Sequence, residues 1–137
     1  MDLYNGEIVA YDTARTAQMP LVSNMLERAL RKLGKHQTPL IHSDQGWQYQ
    51  MPAYQSLLRQ YGLTQSMSRK GNCLDNASME SFFGVLKSEF FYLSRFESIE
   101  SLKTGLSQYI HYYNHERIKT KLKGLSPVQY RTQSLGA

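Results

Sequence analysis

Segments of helical and of strand-like periodicity alternate along this chain, and that alternation limits the fold more than any other feature. Leu21, Met25, Ala29 and Leu33 recur every four residues, and Val22, Leu26 and Leu30 widen the stripe. This is the pattern of an amphipathic helix over about 20–33. Pro20 suits its first turn and Gly34 its stop. The run PLIHSD at 39–44 reads as a short buried strand ending in polar residues. A second helix is expected over 52–61, with Tyr54, Leu57, Leu58 and Tyr61 on one face, and residues 63–67 alternate as another strand. At the front, 1–3 and 8–11 read as two strands around Asn5-Gly6, a hairpin signal.

The later half is helical. A third helix should start near Asn76, a good N-cap residue, and present Met79, Phe82, Phe83, Leu86 and Phe90. A fourth begins at Ser98 and carries Ile99, Leu102, Leu106, Ile110 and Tyr113. Ser126-Pro127-Val128-Gln129 has the form of a capping box with proline at the first helical position, so a short last helix should end near Thr132. Strands alternating with helices predict an α/β layer with some parallel pairing. Open sheets of this kind place functional residues at the carboxyl ends of their strands, where Asp44 falls.

A chain of 137 residues suits one domain and can bury a core without staples. No stretch approaches the apolar run that spans a bilayer, so no membrane role is expected. The opening residues carry Asp2, Glu7 and Asp12 rather than a basic start and an apolar run, unlike a signal peptide. Cys73 is the sole cysteine, which excludes an intrachain disulfide and suits a reducing compartment. A cytoplasmic protein is the expectation. The net charge is +5, and its distribution is informative. Arg117, Lys119, Lys121, Lys123 and Arg131 follow one another with no Asp or Glu between them. Such a stretch is either a seat for a phosphate backbone or a solvated lysine-rich loop, and composition does not separate the two.

Two carboxylates stand out as candidate chemistry. Asp44 ends a strand inside HSDQGWQY, and Glu80 opens an amphipathic helix. Lys87 lies seven residues beyond Glu80, which brings the two side chains nearly into line, two turns apart. A carboxylate on a divalent ion and an ammonium on a DNA phosphate would suit that edge. The plainer alternative is an exposed acid and base on a surface helix. His42 reads as a hydrogen-bonded strand residue rather than a metal ligand, because Mg²⁺ prefers oxygen donors. His111 and His115 have the spacing of half a zinc site, but without a His-Glu-x-x-His order a helix-face role is expected. Cys73 has no metal-ligand neighbours and is not expected to act as a thiolate nucleophile. Ser43 beside His42 makes no triad, since strand neighbours point to opposite faces. Tyr109, Tyr112, Tyr113 and Tyr130 lie among the late basic residues, a combination that can hold phosphates and stack bases, but Tyr109 and Tyr113 read mainly as packing of the fourth helix. Trp47, in a loop after Asp44, is a better candidate to stack on or wedge into DNA.

Three segments carry a family resemblance: HSDQGWQY at 42–49, SRKGNCLDNASMESFFGVLKSE at 68–89 and YNHERIKTKLKGLSPVQYR at 113–131. Together they resemble the DDE transposases of bacterial insertion sequences, in particular the third insertion-sequence family, whose domain is similar to the retroviral integrase core. The resemblance runs from Leu3 to about Arg131. It implies an RNase H-like mixed sheet flanked by helices, with a partial catalytic core over 1–95 and a C-terminal helix and basic tail over 96–137. It also implies an Asp, Asp, Glu triad whose last two acids are separated by thirty-five residues, as Asp44 and Glu80 are, and a basic residue seven after the Glu, as Lys87 is.

By the same resemblance Asp44 and Glu80 would be catalytic metal ligands for Mg²⁺, two ions in the complete domain. Lys87, Trp47, Arg117, Lys119, Lys121 and Lys123 would contact DNA, meaning insertion-sequence ends and target DNA. The complete protein would be a homo-oligomer. The departure is at the start: the residues MDLYNGEIVAYD resemble the hairpin that follows the family's first strand. That first strand, its catalytic Asp and the N-terminal DNA-recognition region are therefore expected to be missing, leaving the chain inactive alone and with an exposed sheet edge. Two alternatives remain, a non-enzymatic DNA-binding remnant and a nuclease using Asp2 as its first acid.

Overall fold

A computed structural model describes residues 1–71 and 76–136. Cys73 lies outside the described residues. Two compact units are present: Ala10–Ala77, and Met1–Val9 together with Ser78–Ala137. The overall class is mixed α/β, as expected.

Within Ala10–Ala77 the helix and strand alternation is realised in order: α1 (Met19–Leu30), β1 (Ile41–Ser43), α2 (Pro52–Gln60) and β2 (Gln65–Met67). The strands pair in parallel, with Ile41 opposite Gln65, His42 opposite Ser66 and Ser43 opposite Met67. Parallel partners need a crossover, and α2 supplies it. Both helices start with proline in the first turn, where the missing N–H costs nothing. Their apolar faces meet in one core of Val22, Leu26, Leu30, Tyr54, Leu58 and Leu63, with Ile41 and Tyr49 packed against it. Burial, then the charge of Tyr49, pushes the Tyr54 phenol up to about 12, so this core is uncharged at any ordinary pH.

The other unit is built on α3 (Ala77–Leu86), α4 (Ile99–His115) and α5 (Pro127–Gly136). The α3 helix does not end in a regular turn. It widens into a π segment over Lys87–Phe91, where the Tyr92 N–H reaches the Lys87 carbonyl at 2.9 Å. Ser98 caps α4 as expected, exchanging bonds of 3.1 and 3.2 Å with Ser101. The predicted box at α5 forms as well. The Ser126 N–H donates to Gln129 Oε1 at 2.9 Å, and the Ser126 hydroxyl reaches back to the His115 carbonyl at 3.0 Å. Phe82 meets Tyr113 edge-on at 5.0 Å, and Phe90 stacks on Tyr109 at 5.6 Å. Gly105 allows that stack, since a Cβ there would sit 3.0 Å from the Phe90 ring.

The expected front hairpin is corrected by the structure. Its turn forms: Gly6 takes φ +77°, and Asp2 bonds Glu7 and Gly6 at 2.8 Å. Its arms form no ladder. The position of a strand partner is taken by a side chain, Asn114 of α4, whose carboxamide accepts from the Ile8 N–H at 2.8 Å and donates to the Ile8 carbonyl at 3.0 Å. Asn5, only 1 % exposed, donates to the Pro127 carbonyl at 2.9 Å. Apart from that turn, residues 1–9 therefore dock on α4 and α5.

Candidate functional site

Asp44 stands directly after β1, at the carboxyl end of a parallel pair, and is exposed. Its Oδ1 accepts from the Gly46 N–H at 2.7 Å, which curls the loop tightly. A Cβ on Gly46 would lie 3.0 Å from that oxygen. Oδ2 has no hydrogen-bond partner among the described residues.

Neighbouring groups hold the loop on β2. Ser68 N–H donates to the Ser43 carbonyl at 2.7 Å, and Gln45 Nε2 donates to the Ser68 carbonyl at 3.1 Å. His42 spans the strand pair, with Nδ1 at 3.0 Å from the Ser66 hydroxyl and Nε2 at 3.1 Å from that of Ser68. Both ring nitrogens are thus engaged by serines, the hydrogen-bonded strand role expected from the sequence. Tyr49 is held above its ordinary pKa, first by burial and second by the Asp44 charge. Trp47 opens a one-turn 3-10 helix, Trp47–Gln50, and is 51 % exposed.

Glu80 lies in the first turn of α3 and is exposed, where the helix dipole favours a negative charge. Lys87 is exposed and begins the π segment, so the α-helical path from Glu80 to Lys87 stays regular. Asp44 and Glu80 belong to different compact units. As donors, both are hard carboxylate oxygens open to solvent, which fits a hard divalent cation. Among the described residues no group of three or more His, Cys, Asp and Glu is placed to hold a metal ion. His111 and His115 stack at 4.4 Å on α4 as a pair. Asp2 closes the front turn through its Oδ1, 2.9 Å from the Tyr4 N–H.

The late basic stretch is not uniform. Arg117 forms a two-pronged ion pair with Glu89, Nε to Oε1 at 2.8 Å and Nη2 to Oε2 at 2.7 Å. Tyr109 donates to the same carboxylate at 2.8 Å. These bonds, Arg117 first, hold the Glu89 carboxyl below its ordinary value, while burial, then Glu89, raises Tyr109. Arg131 pairs with Glu7 at 2.9 Å. Lys119 donates to the Tyr113 hydroxyl and lies 4.4 Å from the centre of that ring. Lys121 and Lys123 are exposed. Lys123 takes a left-handed backbone, φ 60° and ψ 33°, which costs an L-residue roughly 1–2 kcal/mol.

Sequence reasoning passed over Glu89 and Asn114. A signal existed for Glu89. Tyr109, Tyr113 and Arg117 recur every four residues, which sets a cation at the end of a packed aromatic stripe and demands an anion there. Tyr109 and Tyr113 are buried, as their expected packing role requires.

Residues 1–73 match the family described as integrase core domain, and a second integrase core domain description matches residues 80–135. An uncharacterized transposase-like protein of Haemophilus influenzae is 59 % identical over 98 % of this chain and 62 % of its own length. The putative transposase InsK for insertion sequence element IS150 of Escherichia coli is 54 % identical over 98 % of this chain and 47 % of its own. The transposase for insertion sequence element IS904 of Lactococcus lactis is 38 % identical, over 95 % and 52 %. The chain thus spans about half to three-fifths of the length of these relatives. Among the described residues no helix is long and apolar enough to cross a membrane.

Proposed function

This chain belongs to the integrase core domain family, and from that premise we propose that it is part of the catalytic core of an insertion-sequence transposase. Its substrate is DNA, both insertion-sequence ends and target, and its setting is the cytoplasm. The complete protein acts as a homo-oligomer on an RNase H-like fold. One observation carries the reading: the family match covers both candidate acids, with Asp44 at the carboxyl end of a parallel strand and Glu80 in the first turn of a helix.

In this proposal Asp44 and Glu80 hold a divalent ion, Mg²⁺ by family habit. When bound, it supplies positive charge to a phosphodiester under in-line attack. Asp44 keeps Oδ2 available because Gly46 engages only Oδ1, and the His42–Ser66–Ser68 bonds hold the Asp44 loop against β2. Lys87 meets a phosphate as a point charge. Trp47 offers a ring face to a base or a wedge to a base step, and exposed lysines of the cationic stretch between α4 and α5 meet the phosphate backbone. These 137 residues supply two of the three family acids, so the chain alone is inactive in cleavage and strand transfer.

Calorimetric titration with Mn²⁺ tests the ligand assignment. Asp44→Asn and Glu80→Gln should each weaken binding by roughly 10–100-fold, and equal affinity in all three proteins would overturn it. Mg²⁺-dependent cleavage of terminal-repeat DNA by the purified chain would refute the inactivity. If Asp2→Asn then abolished that cleavage, the first acid would be Asp2. The exposure of Trp47, Lys121 and Lys123 favours, as a second reading, a DNA-binding remnant, for which salt-steep binding without metal affinity is the signature.

A further inference from the structure

We infer that, within the cationic stretch after α4, Lys121 and Lys123 carry the contact to DNA phosphates, whereas Arg117, Lys119 and Arg131 hold the fold together. This rests on the proposal that the chain contacts DNA. The sequence presents five similar cations, and the structure divides them. Arg117 is gripped by both oxygens of Glu89. Arg131 is held by Glu7. Lys119 lies on the Tyr113 ring, and its Nζ sits where a Cβ on Gly6 would come within 3.1 Å. Phosphate could recruit any of these three only by displacing a carboxylate or an aromatic face already matched to it.

Lys121 and Lys123 stand differently. Among the described residues neither ammonium has an ion-pair or hydrogen-bond partner. They flank Leu122, which is buried and anchors a tight turn. The turn is closed by Lys119 N–H to the Leu125 carbonyl at 3.0 Å, Gly124 N–H to the Lys119 carbonyl at 3.0 Å and Lys123 N–H to the Thr120 carbonyl at 3.1 Å. The two lysines are therefore displayed on a fixed knuckle, not on a loose loop. A second observation points the same way. Lys123 occupies a left-handed position that glycine or asparagine would fill without strain. A strained residue on a rigid turn is a pointer to function, and the only thing lysine adds there is charge reaching into solvent.

The partner that fits two closely spaced, solvated ammonium groups on a rigid turn is a regular polyanion, here the backbone of duplex DNA. The test measures binding of the full 137-residue chain to a labelled duplex across a series of NaCl concentrations. Each phosphate contact removed lowers the slope of log K against log salt by about 0.9. Lys121→Gln with Lys123→Gln should flatten the slope by about 1.8 and leave the melting temperature in place. Glu89→Gln with Arg117→Gln, whose carboxamides can still bond each other, should leave the slope unchanged. A control of equal charge loss, Lys35→Gln with Lys103→Gln, should also leave it unchanged. Lys123→Gly gives the sharpest readout: melting temperature rises while the slope flattens by about 0.9.

An unchanged slope in the double lysine variant overturns the inference, and so does an equal flattening in the Glu89/Arg117 variant or in the control. If the wild-type chain binds no duplex even at low salt, the DNA reading beneath it fails. Binding to phosphatidylserine vesicles but not to duplex would reassign the knuckle to a membrane surface.

Discussion

Asn114 shows how much one side chain can decide. Its carboxamide offers one acceptor and one donor with the spacing of a strand's backbone, and Ile8 takes both. Replacing Asn114 by alanine would leave two buried backbone groups unsatisfied. Asn114→Ala should therefore lower unfolding free energy in urea by roughly 2–3 kcal/mol. Asn114→Asp should also destabilise, since it keeps the acceptor but loses the donor facing the Ile8 carbonyl.

Glu89 gives a pH-dependent counterpart. Its folded pKa is depressed, chiefly by Arg117, so its stabilisation is complete above the ordinary carboxylate range and lost as pH falls through the depressed value. Glu89→Gln should cost about 1 kcal/mol at pH 7, and the gap to wild type should close in acid. A gap that persisted unchanged at pH 3 would rule this out. Neither residue was legible as a contact. Their partners lie 106 and 28 positions away; the Tyr109, Tyr113 and Arg117 spacing asks for an anion without saying which, and nothing local singles out Asn114. Asp44, Glu80 and Lys87 were legible as candidates, because the motif puts acid, acid and base at fixed offsets within a family pattern.

Among the elements, the helices were readable where one stripe of side chains had to face a core. The starts of α1, α2, α4 and α5 lie within a residue of their expected positions, since proline and serine at helix N-termini act through the adjacent turn alone. Two features escaped. The front strands were written plausibly into the local sequence, yet a competing amide took their pairing. The π segment Lys87–Phe91 shifts the helical phase after Lys87, and nothing nearby announces it. Glu89 within it meets Tyr109 of α4 and Arg117 just beyond that helix. The α5 box can be tested directly: Ser126→Ala should lower stability by about 1 kcal/mol, seen as a drop in melting temperature, and fraying of α5 should appear as faster amide exchange at Gln129.

On the scale of the whole chain, the α/β class and the parallel pairing followed from the order of periodic segments. The division into two units did not, because it depends on which distant residues close together. If Asp44 and Glu80 ligate one ion, binding should stabilise the folded chain by mass action. Mn²⁺ at about ten times its dissociation constant would add roughly 1.4 kcal/mol, visible as a higher melting temperature that Asp44→Asn abolishes.

One of the units joins Met1–Val9 to Ser78–Ala137, which sets a timetable for synthesis. On the ribosome, the core residues of the other unit, all between Val22 and Leu63, can meet soon after they emerge. The first nine residues of the chain must wait for Asn114, Pro127 and Arg131, made a hundred codons or more later. Residues 1–9 are thus translated long before the partners that secure them, and until then they are open to proteases and chaperones.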